Sequence, residues 1–143
     1  MKFRDDFPLP DVDWEPTREF WAHAARGVLA IPRCQRCRRW IWYPEPACPF
    51  DGTRLDWTPV SGRGQLYAWS VVRRAFIPQL ATLVPFATGL IALDEDPAVR
   101  LVTMFVDCAP EALVTDQPMR VVFRPLEFPG IARRVTAPLF TPA

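Results

Sequence analysis

Four residues of this chain have the type and spacing to hold a metal ion. Cys34-Gln35-Arg36-Cys37 is a C-x-x-C pair, and Cys48-Pro49-Phe50-Asp51-Gly52 follows after ten intervening residues. A ribbon-type zinc site needs two such knuckles, because each places two ligands on one side of a tight turn. In the second knuckle an aspartate stands where a fourth cysteine would complete the set. A carboxylate ligates zinc at about 2.0–2.2 Å, so Cys34, Cys37, Cys48 and Asp51 are the candidate tetrahedral site. A closed four-ligand site leaves no position for a substrate, so its chemistry is structural. The same residues also allow a metal-free reading. Asp51-Gly52 is a turn dipeptide in its own right, and Trp40, Trp42, Tyr43 and Trp57 could hold the ribbon by packing. No βαβ pattern surrounds the C-x-x-C, which disfavours thiol redox exchange.

Little else in the sequence could break a bond. His23 is the single imidazole, and no nucleophile lies near it in sequence for a triad. Cys108 follows an apolar run and reads as a buried, inert thiol. Asp94, Glu95 and Asp96 are adjacent on a turn that splays them into solvent. Gly62-Arg63-Gly64 is too short for a phosphate loop. The residues support no catalyst acting alone.

The elements that must position the knuckles follow from composition. The chain has 143 residues, half of them apolar, with 17 prolines and 6 glycines. That length is one domain or two very small ones, and so much proline argues for short strands over long helices. The net charge is +1, far from the basic balance of a dedicated nucleic-acid binder. Lys2 is the only lysine, so arginine carries nearly all the positive charge, and its fork suits carboxylates and phosphates. The start, MKFRDDFPLPDVDWEP, has no apolar core of a signal peptide. With unevenly spaced cysteines it points to reduced thiols and a cytoplasmic location. An uncharged run of 19 residues, Ala75 to Leu93, is broken by Pro78, Gln79, Pro85 and Gly89, so no membrane span is expected.

Along the chain, residues 1–15 read as an extended arm and Thr17–Arg26 as a short helix closed by Gly27. Phe20, Trp21, Ala24 and Ala25 share one helical face. Short β-type runs, Val28–Ile31, Trp40–Tyr43 and Arg54–Val60, flank the knuckles. Beyond Gly62 and Gly64 the candidate strands are Gln65–Arg74, Ala87–Asp94, Val99–Asp107 and Met119–Leu126, with a hairpin at Asp94–Pro97 and a helical turn at Pro110–Leu113. About five strands with one long connection after the first suit a small closed barrel.

These residues together resemble a known family. Phe20-Trp21, Gly27-x-Leu29, the C-x-x-C, Cys48-Pro49, Trp57 and Ser61-Gly62-Arg63-Gly64 resemble the zinc-ribbon OB-fold acyl-CoA-associated proteins. So do Leu93-Asp94, Val106-Asp107-Cys108, Pro110–Leu113, Pro118–Val121 and the closing Leu139–Pro142. Two positions depart from the family pattern: Asp51 for the fourth cysteine, and Gln117 for the glycine before Pro118. The resemblance implies a mainly β fold: an N-terminal arm and helix (1–27), a rubredoxin-like zinc ribbon (28–60) and a five-stranded OB-fold barrel (61–143). It implies a structural zinc and a non-catalytic subunit that accompanies a thiolase-like enzyme. That enzyme would be a lipid-transfer-protein-like thiolase or a steroid side-chain aldolase, though other family members pair with MaoC-like hydratases. The subunit would help hold the acyl-CoA in steroid side-chain or fatty-acid degradation, with two copies on an enzyme dimer as a heterotetramer.

In such barrels the first long loop and the open face carry binding. Here that segment begins at Arg73-Arg74-Ala75-Phe76-Ile77 and ends at Pro85-Phe86. Its apolar side chains are costly to leave in water, at roughly 1.5–3 kcal/mol each. The expectation is that Phe76, Ile77 and Phe86 meet the partner or the acyl chain, with Arg73 and Arg74 at the coenzyme phosphates; folding back over its own barrel is the other outcome. Trp21 and the tail from Arg133 to Phe140 are further candidate surfaces. The competing function is single-stranded nucleic-acid binding, common to ribbons and OB barrels. Eight arginines against seven acids in residues 63–143 do not make a basic groove.

Overall fold

The computed structural model describes residues 9–143, so the first eight residues of the expected arm, Lys2 among them, lie outside the described residues. Helix α1 spans Glu15–Ala25, entered through Pro16 in its first turn. It starts two residues earlier than the sequence suggests, since Glu15 favours the positive end of the helix dipole. Its end is a Schellman cap. Val28 N–H reaches His23 O at 3.0 Å, Gly27 N–H reaches Ala24 O at 2.9 Å, and Gly27 has φ +73°.

The ribbon is a two-stranded antiparallel sheet of β1 (Ala30–Cys34) and β2 (Leu55–Pro59), with Ala30 opposite Pro59 and Cys34 opposite Leu55. Trp40–Tyr43 is not a strand. Trp40 makes one isolated bridge to Arg33, and the chain then bends toward Pro44, which cannot extend a ladder.

The barrel consists of β3 (Arg63–Val72), β4 (Phe86–Leu93), β5 (Arg100–Phe105), β6 (Pro118–Leu126) and β7 (Val135–Pro142), closed in the order β3-β4-β5-β7-β6. The tail expected as a surface is the fifth strand. Val135, Ala137 and the run Pro138–Thr141 are buried, and β7 pairs with β6 from Val135↔Leu126 to Pro142↔Met119. Only Arg133 and Arg134, ahead of the strand, stay exposed. A bulge at Tyr67 shifts the β3–β4 register between Leu66 and Ala68. Just past the bulge Gly89 faces Trp69, so close that a Cβ would stand 2.0 Å from the Ala68 carbonyl oxygen.

One apolar core joins the parts. Leu66, Ile91, Leu101, Phe105, Met119 and Phe140 fill the barrel and continue into Phe20 of α1 and Leu29 and Ile31 of the ribbon. Helix α1 packs on β7 and β1. The knuckles are therefore anchored to the barrel through shared burial.

Candidate metal centre and partner-facing surfaces

The two knuckles are one turn used twice. In the first, Arg38 N–H donates to Cys34 O at 3.0 Å and Cys34 N–H to Arg39 O at 2.9 Å. In the second, Gly52 N–H donates to Cys48 O at 2.8 Å and Cys48 N–H to Thr53 O at 2.8 Å. The residue after each pair is left-handed, Arg38 at φ +67° and Gly52 at φ +74°. This repeated turn aims four ligand atoms at one point.

The ligand atoms of Cys34, Cys37, Cys48 and Asp51 all lie within 4.8 Å of one another. Cys37 Sγ and Cys48 Sγ are 3.7 Å apart, and Cys34 Sγ is 3.4 Å from Asp51 Oδ2. Four ligands around zinc, with Zn–S near 2.3 Å and Zn–O near 2.0–2.2 Å, require sulfur–sulfur and sulfur–oxygen edges of about 3.8 and 3.5 Å. The donor set fits a structural zinc. Cys34 and Cys48 are buried, and Cys37 and Asp51 stand toward the surface.

Local hydrogen bonds prepare the ligands. Thr53 N–H donates to Asp51 Oδ1 at 2.9 Å and holds the carboxyl down at about 2, so it is ionised and ready to ligate. Burial pushes the Cys34 thiol up, but the backbone N–H groups of Cys37 and Arg36 outweigh it and leave the thiol below its ordinary value. Burial pushes Cys48 up to about 11, against the N–H groups of Phe50 and Asp51. Cys48 must therefore give up a proton when a cation arrives.

Elsewhere, no reacting pair forms among the described residues. His23 donates its Nδ1–H to Glu19 O at 2.7 Å, one turn back on its own helix. Burial raises the Cys108 thiol. Of the three hairpin acids, Asp94 and Glu95 are exposed and Asp96 is half-buried. Glu95 accepts from Ser61 N–H, and Asp96 accepts from Ala98 N–H at 2.9 Å.

The loop between β3 and β4 divides the expected contact residues. Phe76 is 87% exposed, Leu83 is exposed at 36%, and Ile77, Leu80, Val84 and Phe86 are half-buried. Arg73 is held by Glu111 at 3.0 Å, whereas Arg74 is exposed and has no ion pair among the described residues. Trp21 is half-buried, edge-on to Phe20 at 5.1 Å, and packed on the core. No signal in the sequence separates the half-buried part of this loop from Phe76, because both are uncharged and apolar.

Among the described residues, no helix is long and apolar enough to cross a membrane.

Residues 21–56 match the family model described as ChsH2, rubredoxin-like zinc ribbon domain, and residues 57–124 match ChsH2, C-terminal OB-fold domain. A solved chain described as Ltp2-ChsH2(DUF35) aldolase superposes with a TM-score of 0.75 at 29% identity, over 94% of this chain and 98% of that one. A DUF35-family protein of unknown function from Sulfolobus solfataricus shares the fold, with a TM-score of 0.58 at 9% identity over 91% and 87%. Two proteins described as DUF35 domain-containing scaffold proteins are also similar. The one from Methanothermobacter thermautotrophicus is 24% identical, over 77% of this chain and 83% of its own length. The one from Methanocaldococcus jannaschii is 27% identical, over 77% and 78%.

Proposed function

The chain belongs to the ChsH2 family of joined zinc-ribbon and OB-fold domains, and from that membership we propose that it is a non-catalytic accessory subunit of a thiolase-superfamily enzyme. The observation that carries the reading is the near end-to-end match to a chain of an Ltp2-ChsH2(DUF35) aldolase. The side chains agree with it. The one imidazole is tied to its own helix, and the four strongest ligands converge on each other and leave no open position for substrate. What remains for this chain is to bind and to position.

The ribbon and barrel, sharing one core, form a rigid platform for the long loop. Phe76, at the tip side of β3, is the exposed anchor for the enzyme. Ile77 and Phe86, half-buried at the two ends of that loop, face the acyl chain. Arg74 is the cation left to meet a coenzyme phosphate, because Arg73 already serves Glu111. Trp21 secures α1 and offers its exposed edge to the same partner. Two copies would sit on an enzyme dimer, and the acyl-CoA would be one of steroid side-chain or fatty-acid degradation.

The test is capture from the native host on the tagged, zinc-loaded chain. Recovery of a thiolase-like protein in equal amount, at a native mass of two copies each, is the expected result. Enzyme-like turnover of a thioester by the purified chain alone would overturn the reading.

A further inference from the structure

The first knuckle carries an arginine where its twin carries glycine. Arg38 and Gly52 follow equivalent ligand pairs, make equivalent backbone hydrogen bonds and share a left-handed φ. That conformation suits glycine and disfavours a residue with a Cβ. Arg38 is exposed, and its side chain has no ion pair among the described residues to offset the strain. Backbone strain that the fold does not need points to a role for the side chain.

Its neighbours are arranged in the same sense. Arg33, Arg36, Arg38 and Arg39 fall within seven residues, and none is ion-paired among the described residues. Arg39 lies over the Phe50 ring at 3.9 Å, and Phe50 is 63% exposed. Arg33 lies over Trp40 at 4.6 Å and donates Nε–H to Arg38 O at 2.9 Å. A guanidinium stacked on a ring is held in place with N–H edges still free to fork onto an oxyanion. Arginine beside an exposed aromatic is also the composition of interface anchors.

We infer that the Cys34–Arg39 knuckle is a recognition surface for a carboxylate-rich segment of a partner protein. The inference rests on the accessory-subunit reading only for the class of partner. A polynucleotide needs a longer basic groove with successive stacking platforms, and this patch is one turn on a chain of net charge +1.

The test measures fluorescence anisotropy of a fluorescein-labelled octaglutamate peptide with the full zinc-loaded chain, in about 20 mM and about 150 mM salt. The wild type binds, and more weakly at the higher salt. Arg38→Gly loses about threefold or more in affinity while its thermal midpoint holds or rises. Arg36→Glu/Arg39→Glu loses about tenfold or more. All three keep the same zinc content per chain. The inference is overturned if the wild type does not bind the peptide at low salt, or if either variant binds it as the wild type does. It is equally overturned if Arg38→Gly sheds zinc, which would assign the arginine to neutralising the thiolates, or if a dT12 oligonucleotide binds more tightly than the peptide. Because the probe is a peptide and not the companion enzyme, its failure leaves the capture experiment standing, and failure of the capture leaves the peptide result standing.

Discussion

The hydroxyl of Thr103 donates to the carbonyl of Pro138 at 3.2 Å, across the weakest seam of the barrel. Strands β5 and β7 share a single register pair, Phe105↔Phe140, and Pro138 has no N–H to offer. A buried side chain thus joins two strands where the ladder is sparse. Thr103→Val keeps the shape, removes the donor and leaves the Pro138 carbonyl without it. The expected cost is about 1–2 kcal/mol, seen as a lower denaturant midpoint with unchanged slope. An unchanged midpoint would show that the seam does not depend on this bond.

At the metal centre, the Asp51 carboxylate is held by Thr53 N–H on the side of the Cys34 sulfur. Asp51→Ala removes the fourth ligand and should release zinc to a chelator far sooner than the wild type. Asp51→Cys restores a thiolate at the same place and should retain zinc longest. Stripping the metal should lower the unfolding midpoint, since binding energy at such sites is folding energy. Equal zinc retention by Asp51→Ala and wild type would remove Asp51 from the ligand set.

The knuckles were legible because their information is local: two ligands closely spaced in each, and a turn dipeptide, Asp51-Gly52, closing the second. Strands β3 to β6 were legible through their turns and alternation. Strand β7 was not, because Ala137-Pro138-Leu139-Phe140 is buried almost continuously and so shows no alternation, and Pro138 and Pro142 read as strand breakers. Proline is tolerated there because β7 is nearly unpaired on its β5 side. Trp40–Tyr43 has β-forming residues but no partner strand, which only the tertiary fold reveals. The equivalence of Arg38 and Gly52 needs their backbone angles as well as their spacing.

Phe76 gives a clean probe of the proposed enzyme contact. It is almost wholly exposed, so Phe76→Ser should leave the unfolding free energy within about 0.5 kcal/mol of wild type. The same change should reduce recovery of the companion enzyme in the capture assay, as loss of an interface aromatic anchor does. Phe86 is a poorer site, since it opens β4 and is half-buried. Full recovery with Phe76→Ser would remove this side chain from the interface.

The pairing of Arg124 with Asp107 makes a pH-dependent prediction. Arg124 Nη1 donates to Asp107 Oδ1 at 2.8 Å, and its Nη2 donates to Oδ2, closing a bidentate pair. This hydrogen bonding holds the Asp107 carboxyl below the usual carboxylate range. A depressed folded pKa means the stabilisation is fully present above the unfolded value, near 3.9. It is lost as pH falls through the lower folded value. Asp107 has φ +55°, which asparagine accommodates well, so Asp107→Asn removes the charge with little backbone penalty. At neutral pH the variant should melt below the wild type. The gap should narrow below about pH 4 and close once the wild-type carboxyl is protonated. Both groups are partly exposed, so added salt should shrink the gap as well. A gap that persisted unchanged into strong acid would mean that Asp107 acts through its backbone conformation and not through its charge.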